Sequence, residues 1–146
     1  MLAQRIRMNE KTSRVYTQQA WSLDDLFPAI DSDAVEKAIE QLNTFNESFE
    51  AYQPKLNDDL SPADFHDLLD AYEDINRQIN LLTGYAYLLF AGDTQDQEYQ
   101  NFLSRTNQLR AESKNRVLFF ELWWKAAPES VVSRLLPAAG DYQYWL

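Results

Sequence analysis

No cysteine occurs among the 146 residues, so disulfide bonding and thiolate chemistry are both excluded. That absence is compatible with a reducing cytosol. Glycine (3) and proline (5) are scarce, which suits long helices with short connections and argues against sandwiches and barrels. A single histidine, His66, rules out any motif needing two histidines. Three glycines cannot form a glycine-rich phosphate loop. Basic stripes are missing: 13 Lys and Arg stand against 23 Asp and Glu, giving a formal net charge of −10, so a nucleic-acid partner is not expected. No apolar run approaches the roughly 18 residues of a membrane span, and the N-terminus has no apolar run of signal-peptide length. The expected location is therefore cytoplasmic, without membrane attachment.

What is present is aromatic and periodic. Aromatic residues make up 14% of the chain, with eight Phe, eight Tyr and four Trp, and the length suffices for one domain with a real core. Residues 1–19 are polar, lean basic and show weak periodicity, and they are expected to form a flexible arm ahead of a helical region from 20 to 146. In "WSLDDLFPAIDS", Trp21, Leu23, Leu26 and Phe27 can anchor a short helical turn that Pro28 stops. Asp33 and Glu36 have capping-box spacing, and Val35, Ile39, Leu42, Phe45, Phe49 and Tyr52 recur at helical steps until Pro54. Ser61 and Pro62 suit the cap and first position of a second helix, whose seam is Phe65, Leu68, Tyr72, Ile75, Ile79, Leu82, Ala86 and Leu89. Gly92 can close it in a left-handed conformation, and Thr94 with Gln97 can cap a third helix running from about Gln95 to Ala126. The third seam is Tyr99, Phe102, Thr106, Leu109, Ser113, Val117, Phe120 and Trp124. So short a connection makes the second and third helices antiparallel. Pro128 opens a short further helix, and "DYQYWL" forms a last turn. The expected fold is all-α: a long antiparallel hairpin, a third long helix alongside, and short C-terminal helices.

One stretch departs from the pattern of a surface helix. From Val117 to Trp124 only Glu121 interrupts a run of large apolar residues, and on a helical wheel these point in nearly every direction. Such a segment is expected to be enclosed on all sides, which two neighbouring helices cannot easily achieve. Leu118, Phe119, Leu122, Trp123 and Trp124, with Tyr144 and Trp145 at the chain end, are therefore the candidate interface residues. They would meet either the remainder of a larger helical protein or a second copy of this chain. Glu121, within that apolar surround, needs a partner, and Lys125 at i+4 is the nearest in sequence.

Other polar groups read as structural. His66 and Asp70 are placed at i, i+4, but two ligands rarely hold a metal, and a solvated histidine in an acidic first turn is preferred. Glu47 with Glu50, and Asp67, Asp70 and Glu73, are taken as solvated faces rather than acid–base pairs. Thr106 and Ser113 set helix register, and Tyr85, Tyr87 and Phe90 pack a core in preference to lining a peptide groove.

Four blocks, "WSLDDLFPAIDS", "YAYLLFAGDTQDQEYQ", "NRVLFFELWWK" and "DYQYWL", resemble in that order and with similar gaps the N-terminal region of oligoendopeptidase F-type proteins. These belong to the zinc metallopeptidase family that includes thimet oligopeptidase and neurolysin. The likeness extends over nearly the whole chain from Trp21. It implies an all-α, cytosolic protein that cuts short peptides in a channel between two helical halves, with zinc held by an HExxH helix and a downstream Glu. In that motif two His at i and i+4 share one helix face, and the Glu acts as base on the metal-bound water. With one histidine this chain has no HExxH. The resemblance thus implies an N-terminal segment of the peptidase that is inactive alone, with zinc and catalysis supplied elsewhere and no catalytic, cofactor or metal residue here. The alternative is a stand-alone helical module that homodimerises through Val117–Trp124.

Overall fold

The computed structural model, which describes residues 22–144 and 146, arranges three long helices and a short C-terminal layer. A turn bonded from Leu26 and Phe27 back to the Leu23 carbonyl drops Phe27 into the core, as expected of the segment before Pro28, whereas Leu26, expected to anchor it too, is exposed. The candidate arm and Trp21 lie outside the described residues.

Helix α1 spans Asp33–Glu50. Its cap differs from the expected capping box. Ser32 occupies the N-cap position and its hydroxyl donates to the Ala29 carbonyl at 2.7 Å, while Glu36 reaches away to Arg105. An ion pair to another helix has displaced the reach back to the cap. The helix also ends before Pro54, since the chain tightens into a 3-10 turn at Gln53–Lys55 that contains this proline.

Helix α2, Pro62–Gly92, starts as expected: the Ser61 hydroxyl accepts from the Asp64 N–H at 3.0 Å and Pro62 fills a position whose N–H would have been unpaired. Its 31 residues make a rod about 46 Å long. Helix α3, Gln97–Ala126, is capped not by Thr94 but by Asp96, whose carboxylate accepts from the Glu98 and Tyr99 N–H groups at 2.8 and 3.1 Å. Gln97 bonds forward to Asn101 rather than back. Gly92 does not take a positive φ; among the described residues only Gly140 does, at φ 56° and ψ −127°, where it kinks the chain between two helical turns.

Ring contacts fix the antiparallel pairing of α2 with α3: Tyr85 meets Phe102, Tyr72 meets Phe120, and Phe65 meets Trp124. Helix α1 lies along both. Two bidentate ion pairs fasten it to α3, Arg105–Glu36 at 2.8 and 2.9 Å and Arg116–Glu50 at 2.6 and 2.7 Å. Between them the buried Asn46 donates to Ser113 at 2.8 Å. The seams identified from sequence form the core: Val35, Ile39, Leu42 and Phe49 of α1, Phe65, Leu68, Ile75, Ile79, Leu82 and Ala86 of α2, and Phe102, Val117 and Phe120 of α3 are buried. Thr106 and Ser113 are buried within the α3 seam, with the Thr106 hydroxyl bonded to the Leu103 carbonyl.

Helix α4, Glu129–Leu135, and a 3-10 segment, Leu136–Tyr144, return the chain onto the N-terminal half of α2. Arg134 donates to the carbonyls of Leu60 and Asp58, both at 2.6 Å, and Val131, Leu135 and Ala139 close the core. No helix among the described residues is long and apolar enough to cross a membrane.

Candidate functional site

The Val117–Trp124 segment has an inside and an outside. Val117 and Phe120 are buried, and the Phe120 ring meets Phe49 edge-on at 6.0 Å and Tyr72 at 5.6 Å. Phe119, half-buried, leans on Phe49 at 5.3 Å. Trp124 stacks on Phe65 at 5.0 Å, and Trp123 lies 6.5 Å from the same ring; both indoles are half-buried. The first turn of α2 supplies Phe65, the last turn of α1 supplies Phe49, and α3 enters between them. Aromatic pairs at these separations contribute about 0.5–1.5 kcal/mol each beyond the area they bury.

The other side of the segment is open. Leu118 is 43% exposed and Leu122, one turn on, 57% exposed. The chain's own helices thus cover only part of the segment: α1 and α2 shelter the aromatic face, and an aliphatic strip remains outward. Wheel geometry alone could not show this, because it distributes directions without saying where the neighbours stop. Tyr144 is 95% exposed. Trp145 lies outside the described residues.

Glu121 sits at the margin between the two faces. Its partner is not Lys125 but the Tyr72 hydroxyl, which donates to Glu121 Oε1 at 3.0 Å. Burial, reinforced by this bond, pushes the Tyr72 hydroxyl up to about 12. Tyr72, Phe120, Glu121, Trp124, Lys125 and Leu146 line a cleft of about 280 Å³. The indole N–H of Trp124 donates to the Leu146 carbonyl at 3.2 Å, tying the chain end to the same place.

The remaining polar candidates form a clasp. Both Asp70 and Glu73 engage the Tyr142 hydroxyl, Asp70 at 2.7 Å. That bond, with the neighbouring Arg77, holds the Glu73 carboxyl below its ordinary range, and the two acceptors push the Tyr142 hydroxyl up. His66 Nδ1 donates to the Ala138 carbonyl at 3.1 Å, and its Nε2 stands 3.9 Å from Asp70. These residues dock the C-terminal segment on α2. As a zinc site the set does not fit, since only His66 and Asp70 approach one another and two ligands rarely hold the metal. No group of three or more His, Asp or Glu among the described residues could hold a metal ion. Glu47 is exposed, and Glu50 is occupied by Arg116. Tyr85 is buried between Phe27 and Phe102, Phe90 is half-buried, and Tyr87 is 61% exposed.

Sequence reasoning missed Asn46 and the two arginines that join α1 to α3. A faint signal existed for the arginines: Arg105 and Arg116 lie about three helical turns apart, hence on one face. Asn46 lies one position beyond Phe45 in the α1 pattern and carries no mark of burial in sequence. Comparison with protein-family models, curated proteins and solved structures gives no match.

Proposed function

We propose that this chain is the N-terminal helical segment of a cytoplasmic, zinc-dependent oligoendopeptidase, in which it forms part of the wall or lid admitting short unfolded peptides to the channel. The observation that carries the reading is the two-faced aromatic segment of α3, whose outward Leu118 and Leu122 coincide with the block "NRVLFFELWWK" of the family likeness. In this reading those leucines meet the catalytic part of the peptidase. Peptide hydrolysis, and the zinc it uses, belong to that part. The segment contributes shape: rods about 45 Å long, cross-braced by ion pairs, keep a wall rigid enough to exclude folded substrates. Exclusion is steric, and no residue of the segment takes part in bond cleavage.

The reading frame beyond the Leu146 codon tests this directly. Continuation into a helix bearing HExxH is expected; a stop codon there overturns the reading. Two measurements on the chain itself add to it. Stoichiometric zinc, or chelator-sensitive cleavage of a quenched peptide by these 146 residues, would contradict the assignment of hydrolysis elsewhere. The same outward leucines also suit a homodimerising module. In that case sedimentation gives a dimer that Leu122→Glu converts to a monomer, and the reading frame ends.

A further inference from the structure

Among the described residues, Arg105 and Arg116 pair with α1, Arg77 pairs within its own helix, and Arg134 bonds to carbonyls. Arg110 meets no carboxylate among them. It stands five and six positions from the two arginines that bind α1. At roughly 100° per residue that is about 120–140° around the helix, on the side of α3 turned away from α1. Its neighbours one turn away on α3 are Thr106, Asn107, Ser113 and Lys114, none of them acidic. What fixes it is Thr83 of α2, only 5% exposed, whose hydroxyl donates to the Ile79 carbonyl at 2.8 Å and accepts from Arg110 Nη2. A guanidinium has five N–H donors, and whichever hydrogen of Nη2 this bond uses, one complete edge of the fork stays free. Arg110 and Thr83 border a cleft of about 410 Å³ between α2 and α3, within the size range of small-ligand sites, and no acidic side chain lines it. The floor gives a second, independent observation. Gly84 lies inside α2, where glycine is less stable than alanine. A Cβ added there meets nothing within 4 Å, so no neighbour in the fold requires the glycine. Its bare backbone instead permits close approach by something lying in the cleft.

We propose that this cleft binds a carboxylate carrying a short apolar group. Arg110 takes the carboxylate through two parallel N–H bonds, and the amides of Asn80 and Asn107 supply further donors at the rim. The apolar group lies over Gly84, between the Tyr87 ring and Leu103. One guanidinium balances one negative charge, and a chain of net charge −10 disfavours the second charge of a phosphate monoester. The site is independent of the peptidase reading. The ligand chemistry has two sources, a free small carboxylate or the C-terminus of a peptide.

The test is an amide-resolved NMR titration of the full chain with N-acetyl-phenylalanine, and with N-acetyl-phenylalaninamide as an uncharged control of the same shape. The expected result is saturable shifts at Asn80, Gly84, Tyr87 and Asn107 for the acid and none for the amide. Arg110→Gln weakens binding by about tenfold or more, as loss of charge-assisted bonds requires. Arg110→Lys weakens it severalfold, because the charge remains while the fork is lost. Gly84→Leu fills the cleft and abolishes binding without lowering the melting temperature of the ligand-free chain, since a Cβ there meets nothing and leucine suits a helix better than glycine. Equal binding of the amide, equally tight binding of inorganic phosphate, or binding by Arg110→Gln or Gly84→Leu at the parent's affinity overturns the proposal. N-acetyl-Ala-Ala-Phe separates the sources. Tighter binding than that of N-acetyl-phenylalanine identifies a peptide terminus as the occupant, and equal or weaker binding identifies a free carboxylate.

Discussion

Phe120→Ala and Leu122→Ala change two residues two positions apart on α3, in a stretch where sequence alone distinguishes neither. Phe120 is 2% exposed and its ring meets those of Phe49, Phe65, Tyr72 and Trp123. Truncating it removes a buried ring and leaves a cavity that three helices cannot collapse around, a loss of about 3–5 kcal/mol. Leu122 is 57% exposed, so most of its side chain gains nothing from folding, and its truncation costs about 1 kcal/mol or less. A domain of this length has roughly 7–20 kcal/mol of stability, so the first variant stays folded but loses a large share. The melting temperature falls by on the order of 10 °C for Phe120→Ala and by no more than about 3 °C for Leu122→Ala. Urea unfolding followed by tryptophan fluorescence reads both, since Trp123 and Trp124 adjoin the altered site. A Phe120→Ala cost under about 1 kcal/mol, or a Leu122→Ala cost near 3 kcal/mol in the monomer, refutes the assignment of inner and outer faces.

Three further outcomes follow from the polar contacts. Ser113→Ala strands the Asn46 amide N–H, while Asn46 Oδ1 is already without a partner, so the variant loses about 1–3 kcal/mol; Asn46→Leu with Ser113→Ala recovers most of that loss in urea unfolding. Arg105 and Arg116 hold the Glu36 and Glu50 carboxyls below their ordinary value of 4.5, so the stability these pairs give is present above that pH and is lost as pH falls below it; Glu36→Gln with Glu50→Gln flattens the acid limb of a thermal-stability profile taken from pH 7 to 3. Asp96→Ala lowers stability by about 1 kcal/mol, whereas Thr94→Ala leaves it within about 0.5 kcal/mol, which denaturant midpoints distinguish.

Legibility from sequence followed the range of the interaction. Helix periodicity and the Ser61–Pro62 start are local, and both are found in the structure where the pattern places them. The caps of α1 and α3 misled because several short polar residues stand near each helix start and any of them fits the local rule. Glu36 satisfies a capping box in sequence, but Arg105 offers its carboxylate two hydrogen bonds and takes it. Gly92 is permitted a left-handed conformation without needing it, since the Asp93–Asp96 connection turns through side-chain bonds instead. The aromatic segment was visible as an anomaly, yet its division into faces depends on where α1 and the first turn of α2 lie. The Tyr72–Glu121 bond joins residues far apart in sequence, while Lys125 was merely close.

The most direct measurement is the intact mass of the native polypeptide, captured from its source with an antibody to the exposed face of α1. The account predicts a single chain well above 17.1 kDa that contains both the "VLFFELWWK" peptide and an HExxH peptide, with zinc bound. A native polypeptide of 17.1 kDa would contradict it.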